Sequence, residues 1–229
     1  MKSETDYTGL LETWKKDLEI PGKPNEWEVK ELMRGAGLPV PENVLLKAGE
    51  PLPDGPVPGV EAPYAVKLCS AEVLHKTDVG GVVLGVTAEE LTGVLSDLRE
   101  RFPGEHLLLS SMVPVRGPEF ILGALSDPVF GPAVMAGAGG ILAELYKDVA
   151  FRLAPCTPAE AGRMLTELTI APVLTGFRGS SMDLEGLKTI IARFSLLAGA
   201  ATAEGAQLDI NPLVWTGSQW LVLDGKAVL

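Results

Sequence analysis

Residues 74–81 read Leu74-His75-Lys76-Thr77-Asp78-Val79-Gly80-Gly81, a polar, glycine-ended loop between two apolar runs at residues 64–69 and 82–86. His75 is one of two histidines among 229 residues. Neutral imidazole is available near pH 7, and paired glycines give the backbone freedom to reorient, so the loop suits a mobile nucleophile. A histidine that is merely solvated fits the same eight residues. What flanks the loop has to decide.

Upstream, Tyr64-Ala65-Val66-Lys67-Leu68-Cys69 has the period-2 pattern of a strand. Tyr64, Val66 and Leu68 share one face, and Lys67 shares the other with the small residues Ala65 and Cys69. Lys67 then has room to reach a ligand, or points to water from an edge strand. Downstream, residues 81–86 form the second strand of a ribbon. Thr87 and Glu90 have capping-box spacing, and Leu91, Val94, Leu95 and Leu98 form the apolar stripe of the helix that follows. A strand at residues 107–113 completes a small α+β lobe that could lie over a nucleotide.

Before this lobe, residues 3–20 carry Leu10, Leu11, Trp14 and Leu18 on one helical face, with Pro21-Gly22 as the stop. A second helix starts at Asn25, with Glu28 at capping-box distance, and ends at residues 35–37. A strand is expected at 43–47. Residues 49–63, rich in proline and glycine, read as an irregular connection.

After the lobe, strands are expected at residues 119–125, 133–137, 141–145 and 149–153. The turn Gly137-Ala138-Gly139-Gly140 could let backbone approach a phosphate. It lacks the Lys-Ser/Thr ending of a P-loop. Thr157, Pro158 and Glu160 open a helix running to about Leu168. Asp183 caps another, whose stripe is Leu187, Ile190, Ile191, Phe194 and Leu197. In the two closing strands, at 206–213 and 219–223, Gln207, Asp209 and Asn211 alternate onto one face. Asp209, Asn211 and Asp224 then offer the hard oxygen donors that Mg²⁺ uses beside nucleotide phosphates. Strand-end turn chemistry is the alternative, but polar residues at three alternating positions of an apolar strand favour the metal.

Composition narrows the classes. At 46% hydrophobic residues the chain is globular, yet no apolar run reaches the roughly 20 residues that span a bilayer. The acidic start, Met1-Lys2-Ser3-Glu4, lacks a signal-peptide core, so a cytoplasmic location is expected. Cys69 and Cys156 sit in apolar or Pro-bounded contexts and read as buried thiols. A net charge of −11 argues against a nucleic-acid partner.

In combination these motifs follow the order of one family. Ala65-Val66-Lys67, the 74–82 loop, residues 119–132 with Asp127-Pro128-Val129-Phe130-Gly131-Pro132, the glycine turn, residues 148–155, Phe177-Arg178-Gly179 and Asp209-Ile210-Asn211-Pro212-Leu213 are matched in sequence. The chain resembles the ATP-grasp (β) subunit of NDP-forming (ADP-forming) acyl-CoA and acetyl-CoA synthetases over about residues 25–229. More distantly it is similar to the succinyl-CoA synthetase β subunit.

The resemblance implies an α+β, ATP-grasp fold of two lobes with nucleotide between them. Its expected parts are a helical extension at 1–22, a small lobe at 23–113 and a large lobe at 114–229. It implies the reaction acyl-CoA + ADP + phosphate ⇌ acid + CoA + ATP, with ATP/ADP and Mg²⁺ as cofactors. A CoA-binding α subunit is the implied partner in an α2β2-type assembly. His75 is matched to a phosphohistidine that relays phosphate from that partner to ADP. Lys67, Lys76, Gly80, Gly81, Glu119 and Arg152 are expected at the nucleotide and phosphates, and Met112 in the segment facing adenine. Asp209, Asn211 and Asp224 are expected at the metal. Lys76 would balance phosphohistidine charge, and Asp78 would select the tautomer. Ser110-Ser111 and Gln207 depart from many relatives, which leaves a non-catalytic nucleotide-binding subunit as an alternative. An ATP-grasp carboxylate ligase without a phosphohistidine is another.

Overall fold

The computed structural model describes residues 4–73, 76–140, 148–177 and 182–229. The residues group into two compact units, one of Met1–Pro24, Glu28–Val40 and Pro114–Leu229, the other of Asn25–Trp27 and Pro41–Val113. In chain order the amino-terminal half contains α1 (Glu4–Lys16), α2 (Glu26–Gly35), β1 (Asn43–Leu46), β2 (Tyr64–Cys69), β3 (Val82–Val86), α3 (Leu91–Arg101) and β4 (His106–Ser111). The remainder contains β5 (Phe120–Asp127), β6 (Gly131–Ala138), β7 (Val149–Leu153), α4 (Pro158–Thr166), the short α5 (Ala171–Leu174), α6 (Leu184–Ala203), β8 (Gln207–Trp215), β9 (Trp220–Val222) and β10 (Gly225–Val228). The two antiparallel sheets, each in its own compact unit with its helices, give the expected α+β architecture.

The smaller unit is an antiparallel sheet of order β1-β4-β2-β3 covered by α3. Alternation dictates it: Tyr64, Val66 and Leu68 turn inward and meet Leu91, Leu95 and Leu98 of α3 together with Leu107 and Leu109 of β4. Each fully buried leucine stabilises this core by roughly 1.5–3 kcal/mol. The Thr87/Glu90 box forms, with Glu90 Oε2 accepting from the Thr87 N–H at 3.0 Å. The helix itself begins one residue after it, at Leu91. Strand β4 stops short of the expected Val113: the Met112 N–H still donates to the Pro63 carbonyl at 2.8 Å in the β2 register, but Pro63 has no N–H to return the bond.

In the larger unit the described residues form an antiparallel sheet of order β10-β8-β5-β6-β7, with β9 paired to β8. One face is covered by α6, whose Leu187, Ile190, Ile191, Phe194 and Leu197 all lie in the core. Asp183 caps α6 by accepting from the Gly186 N–H at 2.8 Å. Thr157 and Glu160 form the complete capping box of α4, with Pro158 in the first turn.

Helix α1 buries Tyr7, Leu11 and Trp14, and Leu18 just beyond it is buried too. Leu10 is only half-buried and packs against Gly35, where a Cβ would lie 2.9 Å from its Cδ1. The helix ends at Lys16, short of the expected residue 20, because the Glu19 N–H is taken by Glu28 Oε1 at 2.7 Å and not by a helical carbonyl. The chain's end differs too: where two closing strands were expected, a further strand, β10, pairs with β8. It starts at Gly225, a poor strand former, against which Met33 packs: a Cβ there would lie 2.6 Å from Met33 Cε. The start of the first helix at residue 3, the strand expected at 141–145, Arg178-Gly179, Leu74 and His75 lie outside the described residues.

Candidate functional site

The alternation that buries Val66 and Leu68 sends Lys67 to the opposite face of β2, alongside Cys69. There the start of α2 meets the strand: Cys69 Sγ donates to Asn25 Oδ1 at 3.4 Å, and Lys67 Nζ lies 2.9 Å from Glu26 Oε1. Lys76 reaches the other oxygen of the same carboxylate, with Nζ 2.6 Å from Glu26 Oε2. The Glu26 side chain is 1% exposed and the two lysines 15% and 12%. Lys67 and Lys76, both expected at phosphates, thus converge on one buried acid. Glu26 was missed in the sequence, where attention fell on the capping pair Asn25 and Glu28.

The loop downstream of residue 75 has a defined backbone. The Gly81 N–H donates to the Lys76 carbonyl at 2.7 Å, the Leu68 N–H to the Gly81 carbonyl at 2.6 Å, and the Gly80 N–H to Thr77 at 3.0 Å. Arg101, at the end of α3, donates from Nη2 to the Val79 carbonyl at 2.9 Å. Gly80 has φ of 66°, and a Cβ on Gly81 would lie 2.9 Å from Leu68 Cβ, so both glycines are required locally. Met112 is partly exposed beside Ser111 at a cavity of about 600 Å³ otherwise walled by Glu42 and the 56–62 connection. The Glu61 N–H fixes that wall by donating to Ser111 Oγ at 2.7 Å.

In the larger unit β8 alternates as read. Leu208 and Ile210 are buried, while Gln207 and Asn211 are exposed and Asp209 is half-buried between them. Asp209 stands opposite Lys226 of β10 and Gly123 of β5, and the Asn211 N–H donates to the Asp224 carbonyl at 3.2 Å, bringing the three expected donors to neighbouring positions. Burial pushes the Asp209 carboxyl above the usual aspartate range, and Asp224 adds to the rise while Lys226 opposes it. Among the described residues there is no group of three or more His, Cys, Asp and Glu side chains able to hold a metal. Two carboxylates and an amide oxygen nevertheless fit Mg²⁺, which takes few protein ligands and completes its shell with water and phosphate oxygens.

The glycine turn is shaped by protein contacts. The Gly139 N–H donates to the Glu119 carbonyl at 2.6 Å, a Cβ on Gly140 would lie 3.1 Å from Glu119 Oε2, and one on Gly137 would lie 2.4 Å from the Asp148 carbonyl. Glu119 therefore sits against the turn just before β5, next to β8 in the sheet.

Arg152 is not brought to the Asp209 face. It is in register with Val134, Ala124 and Leu208, whose side chains are buried on the helix-covered face, while the Asp209 row continues through Gly123 and Met135 to exposed Phe151. Three strand steps, roughly 14 Å, also separate β7 from β8. Arg152 instead forms a bidentate pair with Glu167 after α4, holding that carboxyl below the usual glutamate range.

A family model described as an ATP-grasp domain matches residues 22–229. The β subunit of acetate–CoA ligase [ADP-forming] I of Pyrococcus furiosus is 34% identical over 221 residues, which are 89% of this chain and 90% of that one. Among solved structures, the dinucleotide forming acetyl-coenzyme A synthetase 1 of Ca. Korarchaeum cryptofilum is similar in two states. With coenzyme A and Mg-AMPPCP, its phosphohistidine segment pointing towards the nucleotide binding site, it is 30% identical at a TM-score of 0.74, covering 97% of this chain and 99% of that one. With coenzyme A, acetyl-coenzyme A and the phosphorylated segment in the site I orientation, it is 28% identical at 0.73 with the same coverage. A domain match from residue 22 to the end, and a β subunit matched along nine-tenths of its length, place this chain in the ATP-grasp family, among the β subunits of ADP-forming acetate/acyl-CoA synthetases.

Proposed function

We propose that this chain is the nucleotide-binding subunit of an ADP-forming acyl-CoA synthetase and that His75 carries the phosphoryl group exchanged with ADP. The observation that carries the reading is the convergence of Lys67 and Lys76 on Glu26, immediately after residue 75. Phosphoryl transfer needs little covalent chemistry from the protein; it needs positioned positive charge. In the direction of ATP formation, the N–P bond of phosphohistidine breaks as a terminal phosphate oxygen of ADP forms the new O–P bond. Lys67 and Lys76 neutralise the charge spread over the transferring oxygens. Asp209, Asn211 and Asp224 would hold Mg²⁺, which supplies further charge neutralisation at the nucleotide phosphates.

A CoA-binding α subunit supplies acyl phosphate chemistry, as the β-subunit name of the Pyrococcus furiosus relative and the coenzyme A complexes of the Ca. Korarchaeum cryptofilum enzyme support. Reconstitution with such a partner, acetyl-CoA, phosphate and Mg-ADP is expected to form ATP. Lys67→Met is expected to lower the rate about 10²–10³-fold, the usual loss for one charge-stabilising donor. Binding of nucleotide with no ATP formed from any acyl-CoA offered would favour a regulatory subunit and contradict the reading.

A further inference from the structure

We propose that Glu26 is a positioning residue for phosphoryl transfer, holding Lys67 and Lys76 as one fixed pair of ammonium groups; the proposal rests on the nucleotide-binding reading above. A carboxylate 1% exposed is retained only where opposite charge compensates its desolvation, and here each oxygen has its own lysine at 2.9 and 2.6 Å. The two lysines come from different pieces of chain, one from β2 and one from the loop. Lysine is a point charge on a flexible stem, so two of them are defined in space only when something fixes their tips.

The frame around the carboxylate is itself fixed. Asn25 is tied to Cys69 Sγ, two residues along the same face of β2 from Lys67. The Lys76 carbonyl is tied to the Gly81 N–H, and the Gly81 carbonyl to the Leu68 N–H, next to Lys67 in β2. Glu26 therefore closes a ring of contacts that leaves little freedom at either ammonium group. The two ammonium groups and the carboxylate together carry a formal charge of +1. Without the acid, two like charges would repel and separate. A displacement of about 1 Å at reacting groups can cost on the order of 10²-fold in rate.

A structural role and a positioning role differ in what they leave intact. In the full chain with its partner, Glu26→Gln is expected to slow single-turnover phosphoryl transfer from Mg-ATP at least tenfold. Its affinity for Mg-AMPPCP, measured by calorimetry, should stay within threefold of wild type or tighten, since a negative charge beside two phosphate-facing cations is gone. In a Lys67→Met background the same substitution should add less than twofold. Glu26→Asp, which keeps the charge with a shorter reach, should recover part of the rate, and it carries the same test if Glu26→Gln does not fold. Transfer at the wild-type rate, full additivity with Lys67→Met, or parallel loss of transfer and affinity would each overturn the proposal while the nucleotide-binding reading stands. A wild-type chain that transfers no phosphate overturns both.

Discussion

Asp209 on β8 stands directly opposite Lys226 on β10, yet its carboxyl is held above the ordinary aspartate range because burial, helped by Asp224, outweighs the lysine. The sign of the consequence follows from linkage. A carboxyl raised in the folded state favours folding below the unfolded value, about 3.9, and that contribution is lost as pH rises through the folded value. Above its folded value the ionised Asp209 therefore opposes folding. Asp209→Asn is expected to raise the Tm of metal-free protein at pH 7, with the gain shrinking as the pH is lowered towards about 4. The same variant should weaken Mg²⁺-dependent nucleotide binding. Thermal melts across pH check the first outcome; an unchanged or lower Tm at pH 7 contradicts it.

Gly81 allows the loop to close on β2. Its replacement by alanine places a Cβ 2.9 Å from Leu68 Cβ and 3.1 Å from the Lys76 carbonyl, and neither neighbour is a flexible tip. Gly81→Ala is expected to destabilise the chain by about 1–3 kcal/mol, the usual cost of overpacking. Because the shift falls on the Lys76 backbone, phosphoryl transfer should fall too. Denaturant unfolding and single-turnover rates measure the two effects.

Arg152 on β7 faces the helix side of its sheet and pairs with Glu167. Arg152→Met is therefore expected to leave Mg-AMPPCP affinity within about threefold of wild type. Calorimetry decides, and a tenfold loss would place this arginine at the nucleotide after all.

Thr157 caps α4 through a reciprocal box with Glu160. Thr157→Ala should cost about 1 kcal/mol, or roughly 2–4 °C in a chain of this size, with transfer rates unchanged. It serves as the control for stability effects remote from the site.

The parts legible in the sequence are those that local periodicity or capping fixes. The alternation of residues 64–69 and 207–211 named the buried and polar faces, and Thr157 and Asp183 named two helix starts. Errors arose where tertiary contact overrode local preference. Glu28 takes an amide that would have extended α1, and Met33 packs closely against Gly225 at the start of β10. At the candidate site, the pattern of residues 64–69 gave Lys67 small neighbours and room to reach a ligand, and the resemblance supplied the expectation for Lys76. Glu26 did not stand out, because an acid in the first turn of a helix is commonplace. Only its approach to β2 gives it meaning. Arg152, expected at the nucleotide, lies in the row facing away from Asp209, a face decided by register across four strands, which no local pattern encodes.

Phosphorylation at residue 75 tests the central claim most directly. After incubation with Mg-ATP and the CoA-binding partner, the chain should carry an acid-labile phosphate, mapped by mass spectrometry to His75 and absent from His75→Ala. Normal turnover by His75→Ala, or no label on wild type with the partner present, would contradict it.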